Sequence, residues 1–181
     1  MIAGDVDLIQ LRGKQQPLER LVELAGELHD ITARSSVPLI VNDYAEIASR
    51  VAVEGVHAGQ DDDSVAVVRA KAARPIIVGK STHNLEQAIA AQHEGADYVG
   101  FGPIFATPTK PEYEPIGLKD IKQVYADVRL PIFCIGGIKI DNLRQVLAAG
   151  AKRIAIVSGL LKAQDIAEYA RALKELLISD A

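Results

Sequence analysis

The 181-residue sequence predicts an α/β chain folded as a barrel of parallel strands with helices outside, and three observations carry the prediction. Short apolar runs alternate with helical patterns seven times along the chain. Strands that are apolar on both faces and joined through helices form a parallel sheet. Polar groups follow nearly every run, and this decides between the two architectures such a sheet allows. A doubly wound sheet concentrates its site at one switch point, whereas a barrel gathers contributions from all its strand ends at one rim.

The strands are expected within "AGDVDLIQL" (3–11), "PLIVND" (38–43), "VEGVHAGQ" (53–60), "PIIVGKS" (75–81), "EGADYVGFG" (94–102), "PIFCIGGI" (131–138) and "AGAKRIAIVSG" (149–159). Several open on a glycine suited to ending the preceding helix, and three on a proline, which costs no ladder bond at a strand's first residue. Between them, 18–34 places Leu18, Leu21, Val22, Ala25, Leu28 and Ile31 on one stripe. Residues 84–94 begin at Asn84, an N-cap with Gln87 at the third helical position. Asp141 or Asn142 is expected to cap 142–149, and 163–177 carries Ile166, Tyr169, Ala170, Leu173 and Leu176 at helical spacing. A closed barrel needs eight strands and about 250 residues, with about 200 as a compact limit. The expectation is therefore one (β/α)8 TIM barrel domain over 1–181, N-terminally short, lacking the first β-strand and helix.

Composition narrows the partners. A net charge of −4, with 20 Lys and Arg residues scattered rather than blocked, argues against nucleic acid. The single cysteine, Cys134, lies in an apolar run and reads as a small buried hydrophobe in a reducing compartment. No apolar run approaches the roughly 18 residues of a membrane span, and the N-terminus meets acid and Arg too early for a signal peptide. A cytoplasmic protein with no membrane partner is expected.

The rim groups are Gln10, Arg12 and Lys14; Asn42 and Asp43; His57, Gln60 and Asp62; Lys80, Ser81 and His83; Thr107, Thr109 and Lys110; Gly136 and Gly137; Ser158 and Gly159. Gln10, Arg12 and Lys14 alternate, so on a strand and its exit they point one way. Arg12 and Lys14 join a planar fork to a point charge, a pair suited to phosphate oxygens or equally to a solvated strand end. Thr107, Thr109 and Lys110 read either as two hydroxyls and a cation for a ligand or as a proline-rich surface turn. Ser81, Thr82 and His83 read as an anion site at a strand-to-helix junction or as a helix cap. Gly136, Gly137, Ser158 and Gly159 end the last two runs, where barrels bind phosphate through backbone N–H groups. Asp43 and Asp62 either pair with these cations or hold Mg2+ together with substrate phosphate oxygens. Cations and a metal around one cavity imply a diphosphate substrate. His57 reads as a packed core histidine, and His29 and His93 as surface residues.

"IQLRGK", "VNDYAEIA", "EGVHAGQDD", "KSTHN", "ADYVGFGPIFATPTK", "IFCIGGI" and "IAIVSGL", in this order and spacing, resemble the thiamine-phosphate synthase family. The resemblance runs from the first residues to about Ala163. It implies a barrel that joins hydroxymethylpyrimidine diphosphate to hydroxyethylthiazole phosphate with Mg2+, releasing diphosphate and thiamine phosphate. Matched motif by motif, Asp43 and Asp62 are the implied Mg2+ ligands. Arg12, Lys14, Asn42, Ser81 and Lys110 are implied to hold the diphosphate, with Arg12, Lys14, Ser81 and Lys110 acting in catalysis. Gln10 is implied to orient the pyrimidine, and Thr107, Thr109, Gly137, Ser158 and Gly159 to line the thiazole phosphate. The resemblance further implies a dissociative mechanism and a homodimer. Two departures stand out: the family's first strand, with its aromatic residue near the pyrimidine, has no counterpart, and Lys80 stands where an apolar or variable residue is expected. An open seam would expose apolar edges and call for a partner element. The competing readings are a thiazole tautomerase relative using His83 for proton transfer, another phosphate-binding barrel such as an isomerase of amino-acid biosynthesis, and a non-catalytic barrel remnant that binds a phosphate ligand.

Overall fold

Every strand in the structure pairs with the strand that precedes or follows it in the chain, and all the pairings are parallel. The structure, a computed structural model, describes residues 1–108 and 113–179. Its strands are β1 (Ile9–Leu11), β2 (Leu39–Asn42), β3 (Gly55–Ala58), β4 (Ile77–Thr82), β5 (Tyr98–Phe101), β6 (Ile132–Ile135) and β7 (Ile154–Ala155), in one seven-stranded sheet ordered β1 to β7. An unreversed order excludes the doubly wound alternative and is that of a barrel wall, with β1 and β7 at its two ends.

The helices are α1 (Leu18–Arg34), α2 (Ala45–Arg50), α3 (Val65–Ala72), α4 (Leu85–His93), α5 (Ile121–Asp127), α6 (Ile140–Ala148), α7 (Ser158–Leu161) and α8 (Ile166–Ser179). Leu39, Val41, Val56, Val78, Val99, Phe101, Ile132 and Cys134, on the outer face of the strands, join buried helix residues such as Leu21, Ala25, Val68, Ala88 and Leu143 in one core. Asn84 caps α4 as the sequence predicts, accepting from the Gln87 N–H at 2.8 Å, and the Gln87 side chain reaches back to the His83 N–H at 2.7 Å. Among the described residues no helix is long and apolar enough to cross a membrane.

Three boundaries differ from the sequence reading. The first run contributes only Ile9–Leu11 to the sheet, because Ile2–Gly4 coils into a 3-10 turn closed by Asp5 at φ 60°. That turn packs on α8: a side chain at Gly4 would meet the Ala167 carbonyl at 2.5 Å. Arg171 donates to the Ala3 carbonyl at 2.8 Å, and Lys174 pairs with Asp5 at 2.8 Å and Asp7 at 3.0 Å. The last run keeps only Ile154–Ala155 as strand, and Ser158 and Gly159 open α7 rather than end a strand. Helix α6 starts ahead of the expected cap: Lys139 is the N-cap, and Asn142, a turn inside, accepts from its N–H at 2.8 Å.

Candidate active site

Register decides which side chains share the inner face. Gln10 is level with Ile40, Asn42 with His57, His57 with Gly79, Gly79 with Tyr98, and Ser81 with Gly100. Parallel strands align side chains at paired positions, so these residues line one surface. Tyr98 and His57 fit there because glycines face them. A Cβ at Gly79 would stand 2.1 Å from the Tyr98 ring, and one at Gly100 would stand 3.3 Å from the His57 ring.

A chain of polar groups results. Gln10 hydrogen-bonds the Tyr98 hydroxyl, which lies 2.9 Å from His57 Nδ1, while His57 Nε2 lies 2.9 Å from Ser81 Oγ. Burial raises the Tyr98 phenol above its ordinary value, against the opposing effect of Gln10, so the hydroxyl stays protonated. A neutral imidazole donates at one nitrogen and accepts at the other, which orders the donors along the chain. His57, 8% exposed, is the packed histidine the sequence suggests, and both ring nitrogens are engaged. Tyr98 and its link to His57 escape sequence reasoning; the signal that could have exposed them is glycine inside two strands, which marks close approach.

Above this chain lies the charged rim. Lys14 Nζ is 3.2 Å from Asp43 Oδ2. Asp43 follows β2 in the left-handed region, φ 67°, a conformation Asp tolerates, and donates its N–H to the His57 carbonyl at 2.8 Å. Asp62 sits in the loop after β3, its carboxylate accepting from the Gly59 N–H at 2.7 Å and sharing a hydrogen bond with Asp43. Burial, then the Asp62 hydrogen bond and charge, raise Asp43 above the usual carboxylate range, with Lys14 opposing. Burial acts on Asp62 the same way, but the Gly59 N–H, Asp43, Lys14 and Lys80 together hold it below that range. The two carboxylates thus titrate as a coupled pair, with Asp62 the more readily ionised of the two.

Of the remaining residues, Asn42 is half-buried on the inner face and Arg12 is exposed beyond β1. Gly137, Ser158 and Gly159 come together in the wall of a cavity of about 980 Å³ that Phe105, Ala106 and Lys139 also line. Gly136 and Gly137 adopt φ 99° and 63°, and side chains there would collide with Pro103 and the Ala106 carbonyl, so only glycine lets the 103–106 segment close over them. Thr107 is half-buried beside that segment, whereas Thr109 and Lys110 lie outside the described residues. His83 Nδ1 bonds the Gly102 carbonyl and its ring packs on Tyr113 at 4.8 Å. Lys80 corrects the rim assignment: it alternates with Ser81 and points outward beneath the helices, 5% exposed.

The family model described as thiamine monophosphate synthase matches residues 1–160. The chain belongs to that family. A thiamine-phosphate synthase from Chloroflexus aurantiacus is 44% identical over 177 residues, covering 97% of this chain and 82% of the relative. One from Halalkalibacterium halodurans is 41% identical over 166 residues, covering 91% and 79%. Among solved structures, thiamine phosphate pyrophosphorylase from Pyrococcus furiosus superposes with a TM-score of 0.91 at 31% identity, covering 99% of this chain and 86% of that one. Its family thus agrees with the resemblance carried by the motifs, and the barrel wall described above is shared with that structure.

Proposed function

We propose that this chain is a thiamine-phosphate synthase, a transferase that condenses hydroxymethylpyrimidine diphosphate with hydroxyethylthiazole phosphate to give thiamine phosphate and diphosphate. The observation that carries the reading is the convergence of Lys14, Asp43 and Asp62 at the rim, where a lysine and a cation held by two carboxylates would balance the charge of a departing diphosphate. In the reaction, the bond between the pyrimidine methylene carbon and the diphosphate oxygen breaks first, and its electron pair leaves with diphosphate. The resonance-stabilised cation is then captured by the lone pair of the thiazole nitrogen. Such a step calls for positioning and charge stabilisation rather than a protein nucleophile.

Arg12, Lys14, Asn42 and Lys110 bind the diphosphate oxygens in this reading, and Ser81, backed by His57, donates its hydroxyl proton to one of them. Gln10, fixed by Tyr98, faces the pyrimidine. Gly137, Ser158 and Gly159, in the wall of the large cavity, take the thiazole phosphate in this reading, and the motif resemblance adds Thr107 and Thr109 to that role. Asp43 and Asp62 fit a divalent cation, since two carboxylates from neighbouring strand ends meet at one point of the rim beside Lys14. In this reading Mg2+ is held by the two carboxylates and completed by substrate oxygens. When bound, Mg2+ would supply charge neutralisation of the departing diphosphate. Working on soluble phosphorylated substrates, the enzyme would act in the cytoplasm.

The test is thiamine phosphate formation from the two purified substrates, with and without Mg2+, by this chain and by Asp62→Ala. Metal-dependent product that vanishes in the variant supports the reading; no product from folded wild-type chain sinks it.

A further inference from the structure

A lysine buried between a sheet and its helices is expensive unless something holds its charge. Lys80 is 5% exposed on the outer face of β4, level with Ala58 and Val99. Its ammonium donates to the Asp63 carbonyl at 3.1 Å. Lys80 also lines a cavity of about 330 Å³ together with Gln60, Asn84 and Gln87 and the carboxylates Glu86 and Glu94, so it sits at the edge of a polar pocket. Packing beside Ala58 and Val99 does not by itself require a lysine here.

What the ammonium does instead is grip the loop that carries Asp62. Residues 59–63 are fastened to β4 twice: Lys80 holds the Asp63 carbonyl, and Gln60 donates its side-chain amide to the Ser81 carbonyl. On the solvent side, Lys71 bridges the Asp63 carboxylate at 2.6 Å and Glu46 at 2.9 Å. That bridge is exposed and contributes little by itself. We infer that Lys80 is a positioning residue, which from behind the sheet fixes the 59–63 loop so that the Asp62 carboxylate meets Asp43. The assignment to metal and diphosphate binding rests on the function proposed above; the anchoring does not. Lys80 and Ser81 are consecutive, so one strand places a hydroxyl inside the barrel and a loop clamp outside it.

Backbone amide exchange of the ligand-free protein tests the anchoring, using Lys80→Met and Lys80→Arg. In Lys80→Met, amides of residues 59–63 should exchange about tenfold faster while those of β3 and β5 keep their protection, and the thermal midpoint should hold or rise. Lys80→Arg, which retains a donor, should restore most of the loop's protection. In turnover, the Mg2+ concentration for half-maximal rate should rise about tenfold in Lys80→Met with the KM for thiazole phosphate unchanged. Wild-type exchange at 59–63 in Lys80→Met overturns the inference. So does loss of protection throughout the sheet, or failure of that variant to fold, either of which would assign Lys80 to stability alone. Because exchange needs neither substrate nor metal, an inactive wild-type chain would defeat the proposed function while the loop result still stood on its own.

Discussion

The two faces of β3, β4 and β5 are both largely buried and chemically opposite. Outward, Val56, Ala58, Val78, Val99 and Phe101 meet the helices in a continuous apolar layer, interrupted by Lys80 and Thr82. Inward, the same strands offer Gly79, Gly100, His57, Ser81 and Tyr98, tied to one another by hydrogen bonds. Alternation along a strand lets one backbone serve both, with packing on one side setting stability and a polar chain on the other setting geometry for chemistry. If that division is real, substitutions on the inner side and its rim should damage turnover more than folding, and those on the outer side should do the reverse.

Asp43→Asn should have the largest effect, lowering turnover about 10³-fold in steady-state assays. Calorimetry on the ligand-free protein should find its thermal midpoint unchanged or raised, because Asn accepts the left-handed backbone at φ 67° and relieves the strain between two carboxylates. A clear drop in midpoint would break the comparison. Phe101→Ala should cost about 3–5 kcal/mol, seen as a fall of roughly 10 °C or more in the midpoint, with KM values unchanged at low temperature. Ser81→Ala should reduce kcat about 100-fold and Tyr98→Phe about tenfold, both with near-native unfolding curves. If Tyr98→Phe weakens folding and spares kcat, the inner chain is a packing device only.

A separate effect concerns alkaline pH. Burial pushes the Cys134 thiol and the Tyr125 phenol up to about 12 each. Their unfolded values are about 8.5 and 10. The folded chain thus keeps protons that the unfolded chain releases, so the stability these groups contribute is fully present below about pH 8.5 and is lost as pH rises toward 12. Urea midpoints should fall steadily over that window, and the folded Cys134 should resist a disulfide reagent at pH 8 while the unfolded chain reacts at once.

Much of this is legible in the sequence itself. Asp43 and Asp62 follow consecutive strands, and in a parallel barrel consecutive strands are neighbours, so their meeting could be read from the order of the runs. The cap at Asn84 was equally plain, since its partner Gln87 sits at fixed spacing. Facing was harder: Lys80 and Ser81 must oppose each other, but which one faces inward depends on register, and in a run apolar on both sides nothing local fixes it. The link from Gln10 through Tyr98 and His57 to Ser81 draws on four strands, and no spacing along one segment encodes it. The short last strand went unread because the apolar run continues into α7 without a break signal.

The clasp between the 3-10 turn and α8 has a consequence for how the molecule comes into being. Lys174 and Asp7 are 167 residues apart along the chain. During synthesis the early segment therefore leaves the ribosome long before its partner exists, and β1 is held there by β2 alone. The fastening of one end of the sheet to α8 therefore waits until α8 has been made, and a nascent chain halted short of Arg171 would carry β1 to β7 with its first turn still undocked.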